Sequence, residues 1–176
     1  ELISVFTDFD NELRGNISAV VLLEDPLKRY EMLQIAQDFN QPATTFLMER
    51  EDGSYKNWWY APDSEIGLCG HGSMAATAYL IGGTKNQSVE LTARKADVKG
   101  YTDDQGRCTI ALDPIPVIEE IEIPVAVRAG VSIPLKALYK TSNKYILLAD
   151  NEEDVRRVKP DFNRLRQSKI FGYALT

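Results

Sequence analysis

The chain is poorest in the residues that hold metals. Among 176 residues there is one histidine, His71, and two cysteines, Cys69 and Cys108. One imidazole and two distant thiols do not make a ligand set, so no metal site is expected. No disulfide framework is expected either, because a chain of this length does not need one bridge to hold it. No stretch reads as a secretory leader, and a soluble, reducing, cytoplasmic setting is the default. Long apolar runs are also missing. Residues 74–81 and 145–149 are too short to cross a bilayer. Clustered positive charge is absent: 20 basic against 26 acidic side chains give a net charge of −6. The nearest thing to a basic run, from Arg156 to Lys169, is interleaved with Glu152, Glu153, Asp154 and Asp161. It reads as the solvated side of helices, and no nucleic-acid partner is expected. An initiator Met is lacking, and the chain stops soon after the apolar run 170–175, so both ends are expected to be those of a trimmed or partial chain.

Hydrophobic residues make up 44% of the chain, enough for a real core. The length allows one large domain or two small ones, burying roughly 70% of the unfolded surface. Strands are expected at 2–6 and 18–23, separated by the Gly15-Asn16 turn. A helix over 27–39 follows Pro26 and ends at Asn40 and Pro42. Residues 44–48 and 55–60 form a hairpin around Glu51-Asp52-Gly53. Gly70-His71-Gly72 reads as a hinge, after which Ser73 caps a helix over 74–81 closed by Gly82-Gly83. That helix is apolar or small on most sides, as expected of one enclosed by strands. Strands return at 88–92, 97–101 and 107–112. The acidic, proline-punctuated stretch 114–124 is the expected boundary, dividing 1–114 from 115–176. Beyond it come a hairpin, 135–140 with 144–148, around Ser142-Asn143, a helix over 152–158, a turn at 161–166 and a last strand at 170–175.

One segment can carry chemistry. From Trp58 to Ser73 a strand leads through glycines into the start of a buried helix. The first N–H groups of a helix lack internal partners and carry partial positive charge, which makes an anion site suited to a substrate carboxylate. Gly70, Gly72 and Ser73 are the expected binding positions, the two glycines allowing close approach. His71 can act as general acid or base near neutral pH. Cys69, just before the helix, is expected to have its thiolate favoured by the same dipole. A cysteine ending a strand is ordinarily inert packing, and a lone histidine is ordinarily structural. Asn40 and Gln41 sit where a loop can face a ligand, and Trp58, Trp59 and Tyr60 alternate along a strand, with core filling the better reading.

Three segments carry a resemblance. Residues 14–21, Arg-Gly-Asn-Ile-Ser-Ala-Val-Val, resemble the "GNPAAVV" segment of phenazine-biosynthesis (PhzF-like) proteins. Residues 40–46, Asn-Gln-Pro-Ala-Thr-Thr-Phe, resemble their "NLSETTF". The run from Ala61-Pro62 to Leu68-Cys69-Gly70-His71-Gly72-Ser73 resembles "TPxxEVDLCGHATLA". The order and separations match, and the resemblance extends from near Phe6 to the end, more weakly after Pro114.

The resemblance implies an α+β fold of the diaminopimelate-epimerase type. Each lobe is a mixed or antiparallel sheet wrapped around a central helix, with the active site between lobes, and residues 115–176 begin a second similar lobe. It also implies an isomerase or epimerase that shifts a proton on a small carboxylic acid without cofactor, working as a homodimer. Cys69 matches the first of the paired cysteines used by racemising relatives, and His71 matches the histidine of "GH". Two departures stand out. The proton-carrying glutamate of "SET" is Ala43 here, with Glu49 further along the strand. The family's second glycine-rich helix start, with its nearby aspartate, has no counterpart in the chain. A non-catalytic carboxylate-binding protein of the same fold is therefore the alternative. The last strand, 170–175, is expected to leave an unpaired edge that recruits further chain or another subunit.

Overall fold

The computed structural model describes residues 1–8, 10, 12–142, 144–170 and 172–176. Its contacts divide it into two compact units, Glu1–Asp113 and Pro114–Thr176. The architecture is mixed α+β.

In the first unit β1 (Leu2–Val5) pairs antiparallel with β2 (Asn16–Leu22). The helix α1 (Arg29–Phe39) then carries the chain to β3 (Ala43–Glu49), which lies parallel to β2. β4 (Tyr55–Tyr60) returns antiparallel to β3, and a short β5 (Glu65–Ile66) pairs with its end. The helix α2 (Gly70–Ile81) follows, then β6 (Ser88–Thr92), β7 (Asp97–Thr102) and β8 (Cys108–Leu112). β6 lies parallel to β4, and β7 and β8 add antiparallel strands.

The curled sheet encloses α2, which touches β1, β2, β3, β6, β7 and β8. No residue of α2 is exposed. Strand alternation puts Ala43, Leu47 and Trp59 on the α2 side, with Val20, Leu91 and Val98. Phe46, Trp58 and Tyr60 fall on the opposite face, under Met32 and Ala36 of α1. β3 is thus covered on both sides, so its run Ala-Thr-Thr-Phe-Leu is buried without a break. Each fully buried large side chain of this kind contributes about 1.5–3 kcal/mol relative to exposure. Close approach of the layers requires glycine at Gly100 of β7, where a Cβ would stand 2.3 Å from Thr77 Oγ1 of α2.

Two helix starts in this unit differ from the sequence reading. α1 begins at Arg29 rather than beside Pro26, because Glu31 reaches back to accept the Lys28 N–H at 2.7 Å. α2 begins at Gly70, so Gly70-His71-Gly72 is its first turn rather than a hinge, and Cys69, not Ser73, is the cap. Asn40 closes α1 in a left-handed conformation (φ 48°) and Gln41 Nε2 donates to Phe39 O, so both finish a helix.

The second unit opens with β9 (Val117–Ile121), inside the stretch read as a linker. Prolines 114, 116 and 124 flank this strand without entering it, leaving its N–H groups free to pair with β10 (Leu135–Thr141). Between them lies α3 (Val125–Val131), which the sequence reading did not place. Its three valines and a glycine argue against a helix by propensity. Packing decides the matter, since Val127 and Val131 enter the core with Leu138 and Leu147. β11 (Tyr145–Ala149) pairs antiparallel with β10; the Asn143 of the expected hairpin turn lies outside the described residues. Two short helices, α4 (Glu152–Arg157) and α5 (Phe162–Leu165), lead to β12 (Tyr173–Leu175), parallel to β11. The course of an antiparallel pair, a helical crossover and a parallel strand repeats that of β1, β2, α1 and β3. No helix of the described residues is long and apolar enough to cross a membrane.

α4 supplies a stability test. Asn151 Oδ1 accepts the Asp154 N–H at 2.9 Å, and Asn151 Nδ2 donates to Asp154 Oδ2 at 2.9 Å. The Asp154 carboxylate, 2% exposed, also receives the Arg157 guanidinium. Asn151→Ala removes a cap and one partner of a buried carboxylate. It should cost about 1–2 kcal/mol, read as a lower urea midpoint for the second unit's transition.

Candidate functional site

α2 is built to begin at a sulfur. Cys69 is extended (φ −132°, ψ 101°) and 5% exposed, and its carbonyl accepts the Ser73 N–H at 2.9 Å, the first bond of the helix. The backbone N–H groups of Gly72 and His71 favour the ionised form of its thiol. Cys69 Sγ also lies 3.4 Å from His71 Nδ1. The two side chains singled out from sequence are therefore in contact. His71 Nε2 is buried with no partner among the described residues.

Burial pushes the Cys69 thiol above its ordinary value, partly opposed by the two backbone N–H groups. The expectation that the helix dipole would favour a thiolate is thus corrected: desolvation outweighs it. Burial alone lowers the His71 imidazole. At neutral pH the pair is a thiol beside a neutral imidazole, and neither charge need be accommodated. The consequences for stability have opposite signs. His71 is depressed, so its contribution is present above its ordinary value of 6.5 and is lost as pH falls through the lower folded value. Cys69 is raised, so its contribution is present below 9.0 and is lost as pH rises through the higher folded value. Thermal melts should give these two groups' combined contribution as a plateau between those ordinary values. Cys69→Ala should flatten the alkaline side and His71→Phe the acid side.

The remaining expected positions divide. A Cβ on Gly70 would meet nothing within 4 Å, so this glycine is open. A Cβ on Gly72 would stand 2.7 Å from Thr45 Oγ1 and 2.8 Å from Trp59 Cδ1, so its role is close packing of α2 on β3 and β4. Ser73 is fully buried and its Oγ donates inward to Cys69 O at 2.8 Å. Ala43 is wholly buried in β3, opposite Ser18 of β2, and Glu49 lies exposed at the far end of the strand. No carboxylate takes the place of the family's glutamate on that strand.

The sequence reading did not single out the hydroxyl pair Ser18 Oγ and Thr45 Oγ1, 3.1 Å apart and buried against Gly72. Alternation along β3 could have found it, because it puts Thr45 on the face of Ala43. Among the described residues no group of three His, Cys, Asp or Glu could hold a metal ion.

The first unit is thus a mixed sheet curled around a helix, with a Cys–His contact at the helix start. The family described as "Phenazine biosynthesis-like protein" matches residues 3–174, and the chain belongs to that family. An uncharacterized isomerase of Pseudomonas aeruginosa is 28% identical over 170 residues, covering 95% of this chain and 64% of the relative. A mouse phenazine biosynthesis-like domain-containing protein is also 28% identical, covering 77% and 51%. The crystal structure of an Enterococcus faecalis phenazine biosynthesis protein of the PhzF family superposes with a TM-score of 0.77 at 23% identity. It covers 99% of this chain and 65% of that one. The chain thus spans a little under two thirds of the length of these bacterial relatives.

Proposed function

We propose that the chain contributes to a cofactor-independent isomerase that moves a proton on a small carboxylic acid. The observation that carries this reading is the Cys69 Sγ–His71 Nδ1 contact of 3.4 Å at the head of a buried helix. Membership in a family whose relatives are named isomerases supports it. Cys69 passes its proton to His71 Nδ1. The thiolate, held by the His71 and Gly72 N–H groups, takes the acidic proton from the carbon beside the carboxylate. The sulfur-borne proton exchanges with solvent before a proton is returned at the new position, and His71 then gives its proton back to Cys69, so atoms and charge balance over the cycle. Gly70, open at its Cα, is where the substrate carboxylate approaches, while Gly72 and Ser73 shape the helix start from inside. Both cysteines are free thiols, which fits a reducing, cytoplasmic setting. A homodimer is part of the same reading, and light scattering checks it.

Ala43 favours a second reading, a carboxylate-binding protein without turnover, because the family's proton-carrying glutamate is replaced by a fully buried methyl group. Incubating the protein with a panel of small carboxylic acids and following each by NMR separates the two. An isomerised product supports the first reading. Saturable binding of an acid that stays chemically unchanged supports the second, and binding of none of them removes both.

A further inference from the structure

The sheet of the first unit forks at β4. Tyr55 and Lys56 pair with Leu91 and Thr92 of β6, whereas Trp59 and Tyr60 pair with Ile66 and Glu65 of β5. Asn57 and Trp58 stand in the fork, bonded only toward β3. β6 ends there in the turn closed by Ala93 N–H donating to Ala96 O at 3.1 Å, which brings Arg94 and Lys95 to the opening. The Lys95 stem lies on Gly67, where a Cβ would be 3.1 Å from its Cδ. The result is a cavity of about 50 Å³ walled by Asn57, Trp59, Ile66, Gly67, Arg94 and Lys95. Cys69 and His71 are not part of it.

Asn57 is the anomaly of this cavity. It is 1% exposed on an inner strand face, yet neither its Oδ1 nor its Nδ2 has a hydrogen-bond partner among the described residues. A buried carboxamide left in that condition is costly, so a group of matching chemistry is called for. The lining carries one carboxylate, Glu65, and two cations, Arg94 and Lys95. Glu65 is held by Arg29 at 3.0 Å, whereas Arg94 and Lys95 belong to no ion pair among the described residues.

We infer that this fork is a binding site for one small oxyanion, a carboxylate or phosphoryl group, distinct from the Cys69–His71 site. Asn57 Nδ2 donates to the anion, Arg94 and Lys95 neutralise it, and Asn57 Oδ1 accepts from one of those cations. The volume admits a single such head group and excludes a nucleotide. Because Ile66 and Gly67 lead directly into Cys69, an occupied fork also holds the segment that caps α2.

The test is thermal unfolding of the chain in graded inorganic phosphate and, separately, acetate, with ionic strength held constant by chloride. At about a hundred times the Kd, Tm should rise by roughly 5–10 °C. The arm that saturates at lower concentration identifies the head group. Asn57→Leu should raise Tm without ligand and abolish the ligand-induced rise. Should that variant fail to fold, Lys95→Gln on the exposed turn should weaken the rise without lowering the ligand-free Tm. No rise in the wild type, meaning a cavity filled by water only, overturns the inference. An equal rise in the wild type and Lys95→Gln, meaning ions acting elsewhere on the protein, overturns it too.

Discussion

Cys69→Ser is expected to lower the rate of proton exchange into a bound small acid by about 10²–10⁴-fold, the range contributed by a positioned acid or base. The substitution keeps the size and the helix start almost unchanged, so the unfolding midpoint should move little. What is lost is an ionisable sulfur that two backbone N–H groups and one imidazole can stabilise once it has given up its proton. The pH profile carries the same information. Because burial lowers His71 and raises Cys69, the thiol–imidazole pair persists across the neutral range, so the rate should be flat there and should fall on the acid side only below the ordinary His71 value of 6.5. His71→Ala should depress the rate across that range and turn the flat profile into a rising one, because the thiol must then lose its proton to solvent. A Cys69→Ser variant with wild-type rates would remove the sulfur from the mechanism.

Gly72→Val should be the most damaging single change in the first unit. Its Cβ alone would fall within 2.7–2.8 Å of Thr45 and Trp59, both fully buried and unable to retreat. Overpacking of a tight interior costs about 1–3 kcal/mol, and valine adds branches beyond the first methyl group, which puts it at or above the upper end. Gly70→Ala, two residues earlier, should have the opposite sign. A Cβ there meets nothing, and alanine is about 0.8–1 kcal/mol better than glycine within a helix. Urea midpoints of the two variants, moving in opposite directions, would show that the two glycines serve different ends. A destabilised Gly70→Ala would mean that the open side of the helix start is needed for packing.

How much of this was legible in sequence depended on whether local pattern and tertiary packing agreed. The enclosure of α2 could be read from Met74 to Ile81, which offers no polar face for solvent. The β3–β4 hairpin could be read from Gly53, whose φ of 80° suits the turn at that point. The start of α2 could not, because Gly70 and Gly72 argue against a helix by propensity and only the contact of Gly72 with Thr45 and Trp59 shows why a glycine stands there. Nor could α3, where three valines favour a strand until the core around Leu138 and Leu147 is in place. At the site, the residue types were visible and their contact was not. The helix dipole predicts a thiolate at Cys69, and only the degree of burial shows that desolvation wins. Asn57 gave no signal at all, since an asparagine in a strand has meaning only once its missing partners are known.

The proton-carrying role of Cys69 and His71 is tested most directly by deuterium wash-in. The protein is incubated in D₂O with a small carboxylic acid that it binds, and loss of the C–H signal beside the carboxylate is followed by NMR. The account predicts exchange in the wild type, strong loss in Cys69→Ser, and no exchange above the protein-free rate in the Cys69→Ser/His71→Ala double variant. Unchanged exchange in the double variant would contradict it.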